Sequence, residues 1–240
     1  MCSSDLFVSG HRLTDRYDAL IHPPATCAML AAIDDPLLRE TARDFLKPKR
    51  LRFDLFLKGE PASADTNALR QQRFVLAAPA THPRLDAPPY RAILERLAAR
   101  DGRPKSLDQL DVPGADPIRS LARLIDAGAM QPAQADEVAA AAAPACARLN
   151  VDLLHRSLTG DEIQFLASPV TGGGIPLSRA ERLFLGAWHR GARTPNDWVK
   201  AATEAPLPVG TPVPQLLKEA LYFQTRLPGL RALGLIGQES

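Results

Sequence analysis

Hydrophobic positions change period once within residues 35–59. Leu37, Leu38, Ala42, Phe45 and Leu46 recur at helical spacing. Asp35 can cap that helix, and Pro36 fits its first turn, where the N–H has no intrahelical partner. Pro48 forbids continuation and biases Lys47 toward an extended backbone. Leu51, Phe53, Leu55 and Leu57 then alternate with Arg52, Asp54, Phe56 and Lys58, the period of a strand. Upstream, residues 7–29 are poorly patterned and His22-Pro23-Pro24 is a break. Downstream, Gly59-Glu60-Pro61 is a turn signal. Residues 66–73 are short and polar, leaving helix, strand and coil open. Residues 73–78 (RFVLAA) read as a strand able to pair with 51–57, and Pro79, Pro83, Pro88 and Pro89 mark an extended linker.

A helical unit follows over residues 89–149. Proline starts its first helix, with Tyr90, Ile93, Leu94 and Leu97 on one face and Gly102 past its end. Ser106 caps a short second helix with Leu107 and Leu110. Asp116-Pro117 opens a third, with Ile118, Leu121, Leu124 and Ile125 inward and Gly128 as its left-handed stop. A strand from 129–131 would begin a wing, so this part reads as a winged-helix-like module. Residues 133–149 form an alanine-rich helix that Pro144 divides or kinks. Residues 151–158 suit strand or helix.

The last third, 150–240, reads as a helical subdomain. Ser178 and Glu181 have capping-box spacing ahead of Leu183, Phe184, Ala187 and Trp188, and Gly191 ends that helix. Thr194-Pro195 starts another, presenting Trp198 and Val199. A final helix over 214–227 carries Leu216, Leu217, Ala220, Leu221 and Phe223. The predicted fold class is mainly α with a few short strands (α+β).

The helix, basic turn and strand of 35–59 resemble the segment ending in "DFLRNRRFRQTLL" that marks the regulatory region of a family of bacterial class I methyltransferases. Further pieces stand in the family's order. Gly102-Arg103-Pro104 resembles its "grP" turn, and Ala167-Ser168-Pro169-Val170 its "ASPv" stretch. Leu183-Phe184-Leu185 with Trp198 resembles "eqLFL" and the tryptophan after it. Phe223, Arg226-Leu227-Pro228, Leu230-Arg231 and Leu233-Gly234 resemble its closing pattern. Pro48 in the basic turn and the unmatched N-terminal part depart from the family. The resemblance assigns residues 30–88 to the regulatory segment and implies a preceding S-adenosylmethionine-binding catalytic domain, which is missing from this chain. Residues 1–6, MCSSDL, back-translate with a GTG start to a common sequencing-adapter tail and are set aside as an artefact. On that reading the natural protein is longer at its N-terminus.

Composition narrows the function classes. The 240 residues are 45% hydrophobic, enough for one large domain or two small ones. Lys and Arg number 29 against 27 Asp and Glu, a net charge of +2, and only 5% of residues are aromatic. Neither a polyanion partner nor a base-stacking surface is expected from that balance. No apolar run reaches the ~18–20 residues of a membrane span, and no signal peptide is evident. Cys2, Cys27 and Cys146 are widely spaced and suit neither a disulfide framework nor a zinc site. A cytoplasmic protein with reduced thiols is expected.

Candidate chemistry is sparse. Gly172-Gly173-Gly174 precedes Ile175-Pro176, which blocks a helix start, so the cluster reads as a structural loop. No cofactor is expected to bind this chain; S-adenosylmethionine is implied only for the missing domain. His11, His22, His82, His155 and His189 lack metal-ligand spacing. Cys146 reads as a buried thiol acting as a small hydrophobe, and Ser168 lies outside a nucleophile elbow. The main charge feature is Lys47, Lys49, Arg50 and Arg52, either a solvated turn or a docking surface for an acidic substrate or the catalytic domain. The resemblance implies a non-catalytic regulatory, substrate-recognition or dimerisation region of a class I methyltransferase. Its partners would be the catalytic domain and a protein substrate or a second copy, with no membrane. The alternative is a stand-alone winged-helix adaptor or DNA-binding protein, for which Arg119 and Arg123 on the third helix, offset by Asp116 and Asp126, are the base-reading donors.

Overall fold

The computed structural model describes residues 4–10, 22–46, 53–58, 66–79, 85–98, 102–110, 116–205 and 212–237. In chain order the elements are β1 (Ser4–Gly10), α1 (Pro24–Ala31), α2 (Pro36–Leu46), β2 (Phe53–Lys58), α3 (Thr66–Gln71), β3 (Arg73–Leu76), α4 (Pro88–Ala98), β4 (Lys105–Ser106) and α5 (Leu107–Leu110). They continue as α6 (Pro117–Asp126), β5 (Met130–Ala133), α7 (Asp136–Arg156), β6 (Phe165–Ala167), β7 (Gly174–Pro176), α8 (Arg179–His189), α9 (Pro195–Thr203) and α10 (Val213–Ala232). The fold is mainly α with a few short antiparallel strands. It divides into one unit of residues 1–69 and 113–127 and another of 70–112 and 128–240.

In the smaller unit the switch at 35–59 gives a helix, α2, and a strand, β2. The partner of β2 is β1, antiparallel, with Ser4 opposite Lys58, Gly10 opposite Phe53 and a register slip between Leu6 and Val8. Two expectations are corrected here. Residues 4–6, set aside from the fold, pair with 56–58, since an unpaired strand edge leaves a row of backbone groups without partners. The strand at 73–76 is not the partner of β2: both edges of β3 are taken, by β4 and β5. The poorly patterned stretch also holds a helix, α1, which Pro24 starts from its first turn. Helix α6 has the predicted cap, Asp116 Oδ1 accepting from Arg119 N at 3.1 Å, and Gly128 follows at φ +70°. Leu121 and Leu124 are buried, but Ile118, in the first turn, stays 41% exposed.

In the larger unit, sheet order is β4-β3-β5 and β6 and β7 form a hairpin. From α4 to β5 the chain runs α4, β4, α5, α6 and β5: the three expected helices and following strand, with a short strand, β4, not expected between the first two. From β5 the chain runs into α7, and α6 groups with the smaller unit. The ambiguous residues 151–156 are helical, and α7 continues through Pro144 without division. Pro144 is exposed, so water can reach the carbonyl that its missing N–H leaves free. Helix α10 likewise continues through Pro228.

Helix α8 is the centre of the core: every residue from Ala180 to Trp188 is buried. The sequence pattern gave it one apolar face; it is enclosed all round because Glu181 and Arg182 on its polar side meet charged partners. Leu183, Phe184 and Leu185 pack with Trp198 of α9 and Leu216, Ala220 and Phe223 of α10. Trp198 meets Phe223 edge-on at 5.1 Å between centroids and Trp188 at 6.0 Å, and its Nε1 donates to Ala192 O at 3.1 Å. Leu217 and Leu221, expected with the core, point outward.

Candidate functional site

The predicted docking residues Lys47, Lys49, Arg50 and Arg52 lie outside the described residues. In sequence they join α2 to β2. The described side of that junction has an unusual orientation. A surface helix ordinarily turns its apolar stripe to the core and its charges to water. On α2, Leu37 is 62%, Leu38 57% and Phe45 84% exposed. The charged side is the covered one: Glu40 and Arg43 form an ion pair with side chains only 16% and 17% exposed. Arg39 Nε donates to Ile33 O at 2.9 Å, anchoring that face.

Three of the stretches that carry the family resemblance meet at a cleft of about 340 Å³ in the larger unit. Leu76, Leu97, Arg103, Val170, Pro228 and Arg231 are among its lining. Two glycines make the convergence sterically feasible. At Gly102 (φ +58°) a Cβ would stand 3.1 Å from Ala232 Cβ; at Gly234 (φ +74°) one would stand 2.8 Å from Pro169 Cγ. The cleft is at the small end of the ligand-pocket range. Its described lining offers two guanidinium groups and otherwise apolar or glycine residues, so it holds no nucleophile or general base.

The larger unit also holds several buried or part-buried polar contacts. Ser178 Oγ accepts from Glu181 N at 3.2 Å while Ser178 N donates to Glu181 Oε2 at 2.8 Å, the predicted capping box. The other carboxylate oxygen of Glu181 accepts from Arg226 Nη1 at 2.6 Å. This pair, which sequence spacing alone does not reveal, ties α8 to α10. Arg182, also buried, donates to Leu177 O at 2.6 Å and pairs with Asp161. Asn150 holds both backbone groups of Ala167, at 2.8 and 2.7 Å. Ser168 Oγ donates to Leu233 O at 2.7 Å.

The glycine cluster turns the β6–β7 hairpin. Gly172 N donates to Ser168 O at 3.0 Å, Gly173 O accepts from Ser168 N at 2.9 Å, and Gly174 pairs with Ala167. These groups serve the turn and do not form a strand-to-helix cradle for a cofactor. His155 and His189 line a second cleft of about 160 Å³ with Arg190. Burial pushes the His189 imidazole below the ordinary histidine range; a hydrogen bond with the Leu235 backbone acts the other way, and Arg193 adds to the lowering. Among the described residues no group of three or more His, Cys, Asp or Glu could hold a metal. Cys146, expected to be buried, is half-buried on α7. Among the described residues no helix is long and apolar enough to cross a membrane.

Residues 6–58 match the family described as "Predicted methyltransferase regulatory domain". The match covers β1, α1, α2 and β2, so it begins well before residue 30, and it associates this chain with a regulatory role in methyltransferases. An uncharacterized protein of Synechocystis sp. (strain ATCC 27184 / PCC 6803 / Kazusa) is 29% identical over 205 residues, 77% of this chain. The matched region is 40% of that protein, so this chain spans about two fifths of its length. No solved structure matches.

Proposed function

We propose that this chain is a non-catalytic regulatory, substrate-recognition or dimerisation region of a class I S-adenosylmethionine-dependent methyltransferase. On this reading the methyl-transfer chemistry and the cofactor site belong to a catalytic domain outside these 240 residues. The observation that carries the reading is the match of residues 6–58 to the methyltransferase regulatory family. The glycine turn at 172–174, committed to a hairpin, agrees with cofactor binding elsewhere. The described residues lining the 340 Å³ cleft include no acid–base or nucleophilic group.

The test compares the 240-residue chain with the polypeptide encoded by its complete locus. The longer protein should transfer labelled methyl groups from S-adenosylmethionine, and deleting 30–240 should change its rate or acceptor range. The 240-residue chain should show neither methyl transfer nor calorimetric binding of S-adenosylmethionine. Transfer by the 240-residue chain alone, or tight cofactor binding to it, overturns the proposal.

A further inference from the structure

We infer that the cleft of about 340 Å³ in the larger unit binds a small aliphatic anion, a carboxylate or phosphate ester on an apolar body, at Arg103 and Arg231. This goes beyond the function proposed above and does not depend on it. The first ground is charge. The chain as a whole is close to neutral, with 29 Lys and Arg against 27 Asp and Glu. The described lining of the cleft instead carries two guanidinium groups and no carboxylate. Asp136, a carboxylate outside that lining that senses Arg103, is already engaged. Arg73 Nη1 donates to it at 2.8 Å. That bond chiefly holds Asp136 below the ordinary carboxylate range, and the charge of Arg103 adds to the effect. Arg103 and Arg231 each have other interactions within the protein. A guanidinium presents five N–H donors in a planar fork, so one partner does not exhaust it. The fork matches the paired oxygens of a carboxylate or phosphate.

The second ground is shape. Leu76 and Leu97, which line the cleft, are buried core residues, and Val170 and Pro228 extend its apolar wall. The hollow exists because small residues surround it, among them Ala98, Gly229 and Ala232. At Gly229 a Cβ would stand 3.7 Å from Leu76 O, so α10 runs close against the end of β3. An apolar hollow with a few polar groups is the usual composition of a small-ligand site. The third ground selects the ligand. The described lining has no aromatic side chain on which a nucleobase could stack, and no acid to meet a cation. S-adenosylmethionine, with its adenine, sulfonium and ammonium, has the wrong chemistry for this cleft. An aliphatic anion has the right one.

Isothermal titration calorimetry on the 240-residue chain tests this with hexanoate and hexyl phosphate. At least one should bind one-to-one with a dissociation constant below about 1 mM at low salt, and the tighter of the two identifies the head group. Hexanol lacks the charge, hexylamine reverses it, and acetate and inorganic phosphate lack the body; each should bind at least about tenfold more weakly. Arg103→Gln and Arg231→Gln should each weaken binding by about tenfold or more. Ala98→Leu should do the same by filling the cleft. Ala98 is exposed at the end of α4 and leucine is a good helix former, so this variant keeps the fold. The bound anion should raise the melting temperature of the unaltered chain and leave that of Ala98→Leu unmoved. Absence of saturable binding by both anions up to about 10 mM overturns the inference and leaves the proposed function standing. Hexanol or hexylamine binding as tightly as the anions overturns it too, as does undiminished binding in Ala98→Leu. Tight binding of S-adenosylmethionine in this cleft overturns both.

Discussion

Replacing Arg226 with Met should lower folding stability by about 3 kcal/mol, because it leaves Glu181 as a buried carboxylate without its cation. The two side chains are 12% and 9% exposed and meet at 2.6 Å. Breaking a buried pair costs about 3–5 kcal/mol. The lower end applies because Glu181 Oε2 keeps its bond from Ser178 N at 2.8 Å. Glu181→Gln preserves that cap acceptor but strands the guanidinium, whose other hydrogen bond, to Ala77 O, is long at 3.5 Å. About 2 kcal/mol is expected for it. The double variant removes both charges and should lose about 1–2 kcal/mol less than the sum of the two single losses. Urea denaturation followed by tryptophan fluorescence reads this out. Trp188 and Trp198 are the only tryptophans and both lie in the larger unit, so the signal reports that unit. A 3 kcal/mol loss corresponds to a melting shift of roughly 6–12 °C for a unit of this size. A loss below about 1 kcal/mol for Arg226→Met, or strict additivity in the double variant, would refute the reasoning.

Trp198→Ala should cost about 3–5 kcal/mol, since Trp198 touches Phe184, Trp188 and Phe223 and its Nε1 satisfies Ala192 O; thermal melting by circular dichroism checks it, and a shift of only a few degrees contradicts it. His189 makes the larger unit acid-sensitive. Burial favours its neutral ring in the folded state, so the unfolded chain binds the proton first as pH falls below about 6.5. Stability should decline through that range and level off once the folded ring is protonated. His189→Gln should flatten the decline between pH 7 and pH 5, and an unchanged slope in that variant counts against the assignment.

Local signals were legible wherever one interaction decides the element. Ser178 with Glu181, Thr194 before Pro195, and Asp116 before Pro117 each mark a helix start that the structure contains. Each is a short-range bond between a side chain and a nearby amide, so sequence spacing encodes it. Strand pairing was less legible. The alternation at 51–57 announces a strand but carries no address, and its partner at 4–10 lies in a stretch without clear period. Proline misled at 228, and at Pro144 it does not divide the helix, because exposure lets water replace the lost backbone bond there. The burial of α8 on all sides was hidden for the same reason as the Glu181–Arg226 pair. Charged residues suggest an outward face until partners 20 or more positions away are in place.

The family-like residues divide by what they touch. In the last third they hold the core together. Phe184, Trp198 and Phe223 form its aromatic centre, Ser168 Oγ fixes Leu233 O, Arg226 pairs with Glu181, and Gly234 permits contact with Pro169. A resemblance in such residues reports a shared way of packing, and packing is compatible with many functions. The helix-to-strand segment of 35–59 differs. On α2 its apolar residues face out, and the family match at 6–58 falls on this smaller unit. A motif whose hydrophobic positions are exposed is not explained by its own core, because burial within the chain is what ordinarily rewards that pattern. The exposed apolar positions of α2 are therefore not accounted for by packing within the chain, whereas the motif residues of the larger unit's core are.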